Sequence, residues 1–268
     1  MKRIYDKTVK ELIKDFIIEF KQPKDSSFLE REALKDGGYF TRKEIVNWFE
    51  TKYPEIKIGT ISAHLLMLST NAPSRVHYNI HDNGNEDILF QINKDTFRLY
   101  DKQNDPEPIY KKSADAGFGN VIDDNYEEET EGQEFAYEKD LQNFLSKNLE
   151  IIESGLKLFE DDGINGIEFP AGGRKIDILA LDKDDNYVVI ELKVSRGYDR
   201  VVGQLLRYMG WIEQYQADKG QKVRGMIICK EISQDLVFAC SRINDIELFE
   251  YELSIKLNKI TKSNRGIV

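Results

Sequence analysis

Arg174-Lys-Ile-Asp-Ile-Leu-Ala-Leu181, then Asp182-Lys-Asp-Asp-Asn186, then Tyr187-Val-Val-Ile-Glu-Leu-Lys193: two short apolar runs flank five polar residues. Runs of this length and β-branched content, separated by turn-forming residues, read as a β-hairpin. If the hairpin is symmetric, Leu181 pairs with Tyr187 and Asp177 therefore faces Glu191. Alternation along a strand puts Val189, Glu191 and Lys193 on one face and sends Val188, Ile190 and Leu192 into a core on the other. Two carboxylates held close repel each other unless a cation sits between them, and hard oxygen ligands suit Mg²⁺ or Mn²⁺. Lys193 on the same face can hold an attacking water or stabilise charge developing on a phosphate. The stretch thus contains the parts needed for metal-assisted hydrolysis of a phosphodiester, with Asp177 and Glu191 as ligands and Lys193 as the catalytic cation.

Working outward, the apolar spacing predicts a helix from Tyr137 to Asn148, with Glu138 in its first turn. Gln204 and Tyr208 lie four apart in a second predicted helix and share one face of it. Val223 to Cys229 reads as a buried strand, Gln234 to Arg242 as a helix and Ile246 to Leu253 as a strand, followed by a basic tail from Ile260 to Val268. A lone Glu-x-Lys would be an ordinary charged strand face. Glu138, Asp177, Glu191, Lys193, Gln204 and Tyr208, in that order on suitable elements, are more specific.

The spacing of Asp177 and, 14 positions later, Glu191-x-Lys193 resembles the PD-(D/E)xK nuclease superfamily, with Ile176-Asp177 in place of the proline-aspartate element. On that resemblance Glu138 matches the acidic residue of the preceding helix and joins the metal ligands, and Gln204 and Tyr208 match the Q-x-x-x-Y element that follows the lysine. The chain from Glu138 with Leu141 and Leu145, through Gly173 to Leu179 and Val189 to Lys193, to Gly203-Gln-Leu-Leu-Arg-Tyr208, resembles the C-terminal nuclease domain of the NucS/EndoMS type. The resemblance covers about half the chain. It implies an α/β (α+β) restriction-endonuclease-like fold, a mixed sheet flanked by helices, and metal-dependent cleavage of DNA. The N-terminal half does not look like that family's own DNA-binding domain, so mismatch specificity is not carried over.

In the N-terminal half, Val9, Leu12, Ile13, Phe16, Ile17 and Phe20 recur at helical spacing, and Pro23 ends the helix. Thr41 and Glu44 form a capping-box pattern opening a helix that runs to Tyr53 before Pro54. Thr60 to Ser69 reads as a short third helix, and Arg75 to Ile80 and Asp87 to Tyr100 as alternating strands, the second broken near Asn93-Lys94-Asp95. Helix, helix, turn, helix and β-hairpin is the order of a winged helix-turn-helix, expected over residues 1–100. The third helix would then lie in a major groove, with Thr60, Ser62 and His64 near base edges and Arg42, Lys43, Lys57 and Arg75 near phosphates. Arg174, Arg196, Arg200 and Arg207 are the corresponding phosphate candidates around the cleavage site. Histidines 77 and 81 are expected to have no metal role, and Trp211, Tyr215 and Phe238 to be core.

The 268 residues carry a net charge of −10, which looks unsuited to a nucleic-acid binder. Its distribution removes most of the difficulty: residues 1–100 carry 16 basic against 15 acidic side chains, residues 101–137 three against 11, and residues 138–268 19 against 22. The acidity concentrates in a stretch, 101–134, that reads as a solvated linker before a nuclease domain over 135–268. Two cysteines, the absence of a signal-peptide pattern and the absence of a long apolar run point to a cytoplasmic protein without a membrane span. No Walker-type glycine loop exists, so no nucleotide cofactor is expected. The expected function is a Mg²⁺- or Mn²⁺-dependent deoxyribonuclease whose N-terminal unit selects the DNA, in defence or repair, as a homodimer if it cuts both strands. A non-catalytic DNA-binding protein and an RNA-directed nuclease are the alternatives.

Overall fold

The sheet at the centre of the molecule contains the quoted hairpin and puts its polar residues where the strands part. The structure is a computed structural model that describes residues 5–21, 38–110 and 131–252. The predicted tail from Ile260 to Val268 and most of the predicted linker lie outside these residues. Among them, the N-terminal unit comprises α1 (Val9–Lys21), β1 (Phe40–Thr41), α2 (Arg42–Lys52), α3 (Ile58–Leu68), a 3₁₀ turn (Pro73–His77), β2 (Leu89–Asn93) and β3 (Thr96–Leu99). Helix α1 buries Val9, Leu12, Ile13, Phe16 and Ile17, and it is capped by Thr8 Oγ1 accepting from the Glu11 amide at 3.2 Å. The Thr41–Glu44 capping box opens α2 as the sequence implied. Strands β1, β3 and β2 form a three-stranded antiparallel sheet in that order.

Two expectations fail in this unit. Arg75 to Ile80 is no strand: Pro73 starts a 3₁₀ turn whose Arg75 is wholly buried, hydrogen-bonded to Asp87 and 5.2 Å from the Tyr110 ring centre. The predicted linker is also ordered at both ends. Asp105 receives Arg98 Nη1 at 2.6 Å and the Ile109 amide donates to Thr70 O at 2.9 Å, while α4 (Glu131–Leu145) starts six residues before the predicted Tyr137.

The second unit is α4, β4 (Lys157–Leu158), the small hairpin β5 (Glu160–Asp161) and β6 (Ile164–Asn165), β7 (Ile167–Ala171), β8 (Arg174–Leu181), β9 (Tyr187–Gly197), α5 (Arg200–Tyr215), β10 (Val223–Ile232), α6 (Gln234–Cys240) and β11 (Ile246–Glu250). Its six-stranded sheet runs β11-β10-β9-β8-β4, with β7 also on β8. Pairs β9–β10 and β10–β11 are parallel, and β8 is antiparallel to β9, β4 and β7. This is the mixed, helix-flanked sheet expected.

Both faces of the sheet are covered. On one, Leu141 and Leu145 of α4 pack with Ile178, Val188, Ile190, Leu192 and Met226. On the other, Val189, Ile176 and Ile227 join Leu205, Tyr208 and Ile212 of α5 in a cluster that continues without a break into Leu65, Phe49, Ile13 and Phe97 of the N-terminal unit. The two units therefore share one core. Polar clamps reinforce the join: the Val9 amide donates to Asp162 Oδ2 at 2.9 Å, the Asn79 amide to Gly163 O at 3.0 Å, and Lys57 pairs with Asp218 at 2.6 Å. Phe238, expected in the core, is 65% exposed instead, because it lies on the outer side of α6.

Candidate active site

The register of β8 and β9 is the symmetric one: Leu181 pairs with Tyr187, Ala180 with Val188, Leu179 with Val189 and Ile178 with Ile190. The turn between them is closed by Asp182 Oδ1, which accepts the amides of Asp184 and Asn186, both at 2.9 Å. Beyond Ile178 the strands fork. β8 continues on β7, with Ile176 opposite Phe169, while β9 continues on β10, with Glu191 opposite Ile227 and Lys193 opposite Cys229. Asp177 and Glu191 sit at the fork. The Leu192 amide, which has lost its partner on β8, donates to Asp177 Oδ2 at 2.8 Å. Gln142 of α4 donates to the Asp177 carbonyl at 2.8 Å and holds the strand end in place.

The expected charged face of β9 is an interior one. Helix α5 lies over it, leaving Glu191 only 1% exposed. Glu191 Oε1 accepts from Lys193 Nζ at 3.0 Å and from Gln204 Nε2 at 2.7 Å, and Gln204 Nε2 also reaches the Tyr208 hydroxyl at 3.3 Å. Glu191 Oε2 is buried with no hydrogen-bond partner. A buried carboxylate oxygen without a donor is expensive unless a proton or a cation meets it. Burial first, and then the charge of Asp177, push the Glu191 carboxyl up to about 8 against the pull of Lys193. Burial also raises Asp177, opposed by Lys193 and the Leu192 amide. For Lys193 burial acts to lower the value but is outweighed by Glu191, Asp177 and Glu138, so the ammonium is held well above the ordinary lysine range. Tyr208 is raised by burial and by Glu191.

A divalent cation fits the two carboxylates that meet here, since Glu191 Oε2 lacks a partner and the donors are hard oxygens. Glu138, expected among the metal ligands, has its Oε2 3.8 Å from Lys193 Nζ. Asp177, Glu191, Lys193, Gln204, Tyr208 and Glu138 are thus brought together, with Glu138 facing the lysine.

Glu168 carries no sequence motif and sits next to this group. Its strand neighbours pair as Ile167 with Ile178 and Phe169 with Ile176, which sets it opposite Asp177. Its φ of 50° is one that a non-glycine residue adopts at a cost. Lys175 Nζ at 2.9 Å, Lys139 Nζ at 3.2 Å and His77 Nε2 at 3.5 Å surround its carboxylate. Burial opposes ionisation, but the hydrogen bond from His77 and the charges of Lys175 and Lys139 outweigh it and hold Glu168 far below the usual carboxylate range. Lys139 is the neighbour of Glu138, and Lys175 lies on the strand of Asp177. Glu168 therefore ties α4 to β8 beside the fork, and His77 brings the N-terminal unit to the same point.

The proposed base-reading residues are not available for reading. Ten consecutive residues of α3, from Gly59 to Leu68, are buried. Thr60 Oγ1 donates to Asp161 Oδ2 at 3.0 Å and accepts from Gln216 Nε2 at 3.3 Å. His64 Nδ1 meets Thr60 O at 2.8 Å, and its Nε2 meets Asp162 O at 3.2 Å. Ser62 is 4% exposed. The reason is the apolar character of α3 all round, which calls for burial rather than a groove. Among the phosphate candidates, Arg42 is tied to Lys94 O and Asp95, Lys57 to Asp218 and Arg196 to Glu231, and Arg75 is in the core. Lys43, Arg174, Arg200 and Arg207 are exposed.

Comparison with known proteins finds sequences similar to each unit. Residues 137–261 match the family described as Endonuclease NucS C-terminal domain. The second unit is a NucS-type catalytic domain of the PD-(D/E)xK superfamily. Curated relatives of the NucS-type domain include Endonuclease NucS of Sulfolobus acidocaldarius, 30% identical over 47% of this chain and 45% of that protein. Endonuclease NucS of Pyrococcus horikoshii is 32% identical over 36% of this chain and 35% of that protein. The chain thus spans less than half the length of these relatives. A solved structure of a repair endonuclease from Pyrococcus abyssi aligns with 26% identity over 48% of this chain and 49% of that one, at a TM-score of 0.36. A complex of EndoMS with dsDNA aligns at 24%, over 50% of each chain, also at 0.36. Residues 8–99 match the family described as Domain of unknown function (DUF7669). Among the described residues no helix is long and apolar enough to cross a membrane.

Proposed function

We propose that the protein is a divalent-metal-dependent DNA endonuclease. The observation that carries this reading is the orphaned Glu191 Oε2 beside Asp177 at the strand fork, with Lys193 held charged next to it. Asp177 and Glu191 Oε2 would hold Mg²⁺ or Mn²⁺. When bound, the cation supplies a Lewis acid at the scissile phosphate. Gln204, braced by Tyr208, donates to Glu191 Oε1 and keeps Oε2 turned to the site. Lys193, shared between Glu191 and Glu138, orients the attacking water and stabilises negative charge on the phosphate in the transition state. The names of the relatives favour DNA as the substrate and repair as the role. Substrate selection falls to the N-terminal unit, whose helices and three-stranded sheet follow winged-helix order but whose third helix is turned inward. A double-strand cut would take two such sites, as in a homodimer.

The test is cleavage of supercoiled plasmid, linear duplex, single-stranded DNA and RNA in Mg²⁺ or Mn²⁺ against EDTA, with Asp177→Ala and Lys193→Ala beside the wild type. Metal-dependent cutting of DNA, lost in both variants, is expected. Cutting confined to RNA moves the substrate class, and binding without cutting of any substrate leaves a regulatory protein.

A further inference from the structure

With helix α3 buried, the surface through which the N-terminal unit touches a substrate must lie elsewhere. We propose that duplex DNA lies with one phosphate strand across the Gly172–Gly173 turn of β7–β8, gripped by Lys94 of the β2–β3 turn on one side and by Arg174 and Arg207 on the other. This rests on the nuclease reading and deepens it by giving the path of the substrate into the site.

The first observation is where the two units meet at the surface. A β-carbon placed on Gly173 would lie 3.8 Å from Lys94 Cδ, and one placed on Gly172 would lie 3.6 Å from Arg207 Nη1 and 3.0 Å from the Trp211 ring. The β2–β3 turn of one unit and the β7–β8 turn of the other therefore abut, with Arg207 of α5 beside them. The second observation is that this place connects to the chemistry. Arg207 lies 4.9 Å from the Tyr208 ring centre, the Tyr208 hydroxyl accepts from Gln204, and Gln204 donates to Glu191. The Gly172–Gly173 turn, beside Lys94 and Arg207, is thus near a line of contacts that runs from Arg207 through Tyr208 and Gln204 to the catalytic carboxylate.

The third observation is charge. Many basic side chains near this line are neutralised by carboxylates: Arg42 by Asp95, Lys139 and Lys175 by Glu168, Arg196 by Glu231. Lys94, Arg174 and Arg207 are exposed and form no ion pair among the described residues. Cations spaced along a path suit a phosphate backbone, where contact is electrostatic and independent of sequence. The turn itself contributes shape. Gly172 and Gly173 have φ of 58° and 80°, the pair of positive angles a two-residue hairpin turn needs, and they raise no side chain between the flanking cations.

The experiment uses the full chain carrying Asp177→Asn, which binds without cutting, and a fluorescent duplex titrated over a series of salt concentrations in Ca²⁺. Lys94→Glu with Arg174→Glu is compared with Lys183→Glu, an exposed charge in the turn at the far end of the β8–β9 hairpin. The double variant is expected to weaken binding about tenfold or more and to flatten the dependence of log K on log salt by about two contacts, while Lys183→Glu changes neither. An unchanged slope and affinity in the double variant, with wild-type cutting intact, overturns the path and leaves the nuclease. No DNA binding and no cutting by the wild type overturns the nuclease reading and this one with it.

Discussion

Helix α3 and the fork of β8 and β9 both bury polar side chains, and they treat them in opposite ways. On α3, His64 is fully buried with its Nδ1 2.8 Å from Thr60 O and its Nε2 3.2 Å from Asp162 O, and burial, outweighing these neighbours, lowers its pKa, so the neutral ring donates to one of the two carbonyls. Thr60 gives and accepts one hydrogen bond. The adjacent Gln216 leaves its amide oxygen unpaired, but that is a neutral dipole. At the fork, a carboxylate oxygen is left with nothing and a second carboxylate is set beside it. The polar groups buried at the join of the two units are neutral, whereas the fork buries two carboxylates together, an arrangement that a cation would complete.

Four measurements would break or sharpen this contrast. The largest effect is expected from Asp177→Asn, which should lower the rate of DNA cutting by about a thousandfold or more, roughly 4 kcal/mol of transition-state stabilisation, without lowering the melting temperature in EDTA. Cutting at the wild-type rate would make the fork an ordinary polar cluster. His64→Ala should cost roughly 3 kcal/mol, because it leaves a cavity and removes the ring's hydrogen bond at the join, and calorimetry should show the melting temperature fall by about 10 °C. A loss of DNA affinity at unchanged stability would return α3 to the role of a reading helix.

Glu191→Gln should stabilise the metal-free protein by about 2 kcal/mol at pH 8, since the amide stays neutral where the buried carboxyl begins to ionise. The sign follows from the raised carboxyl: folded Glu191 keeps its proton up to about pH 8 whereas an unfolded one loses it near the ordinary 4.5, so the contribution is full at low pH and is lost as pH rises through that window. Melting curves in EDTA from pH 5 to 8.5 should fall for the wild type and stay flatter for the variant, and Mg²⁺ should restore only the wild type. Thr60→Val should cost the least, about 1 kcal/mol for the bonds to Asp161 and Gln216, read from denaturant midpoints with cutting unaltered.

The hairpin was legible in the sequence because its signals are local. Apolar runs of fixed period and a five-residue polar turn determine the register, and register alone aligns Asp177 with Glu191. That the ladder stops at Ile178 and Ile190 depends on which neighbours β8 and β9 next acquire, and no residue in the hairpin announces β7 or β10. Glu168 is invisible for the same reason: its place comes from pairing across a Gly-Gly turn and from Lys139, Lys175 and His77 on three separate elements. Helix α3 was misread despite a usable signal. Its Leu65-Leu66-Met67-Leu68 end is apolar all round and it lacks any lysine or arginine, which marks an interior helix, whereas Thr60, Ser62 and His64 look alike whether they meet a base or a carbonyl. Arg75 to Ile80 alternates as a strand would, but Pro73 before it starts a tighter turn.

The common core of the two units sets a length scale. If Lys94 touches the backbone and the Asp177–Glu191 fork cuts it, the separation between touch and cut is built into packed side chains and not into a tether. The protein would then work as a gauge: the incision should fall at one constant offset from the contacted phosphates on every substrate, and loosening the join at His64 or Lys57 should blur that offset before it slows the cut.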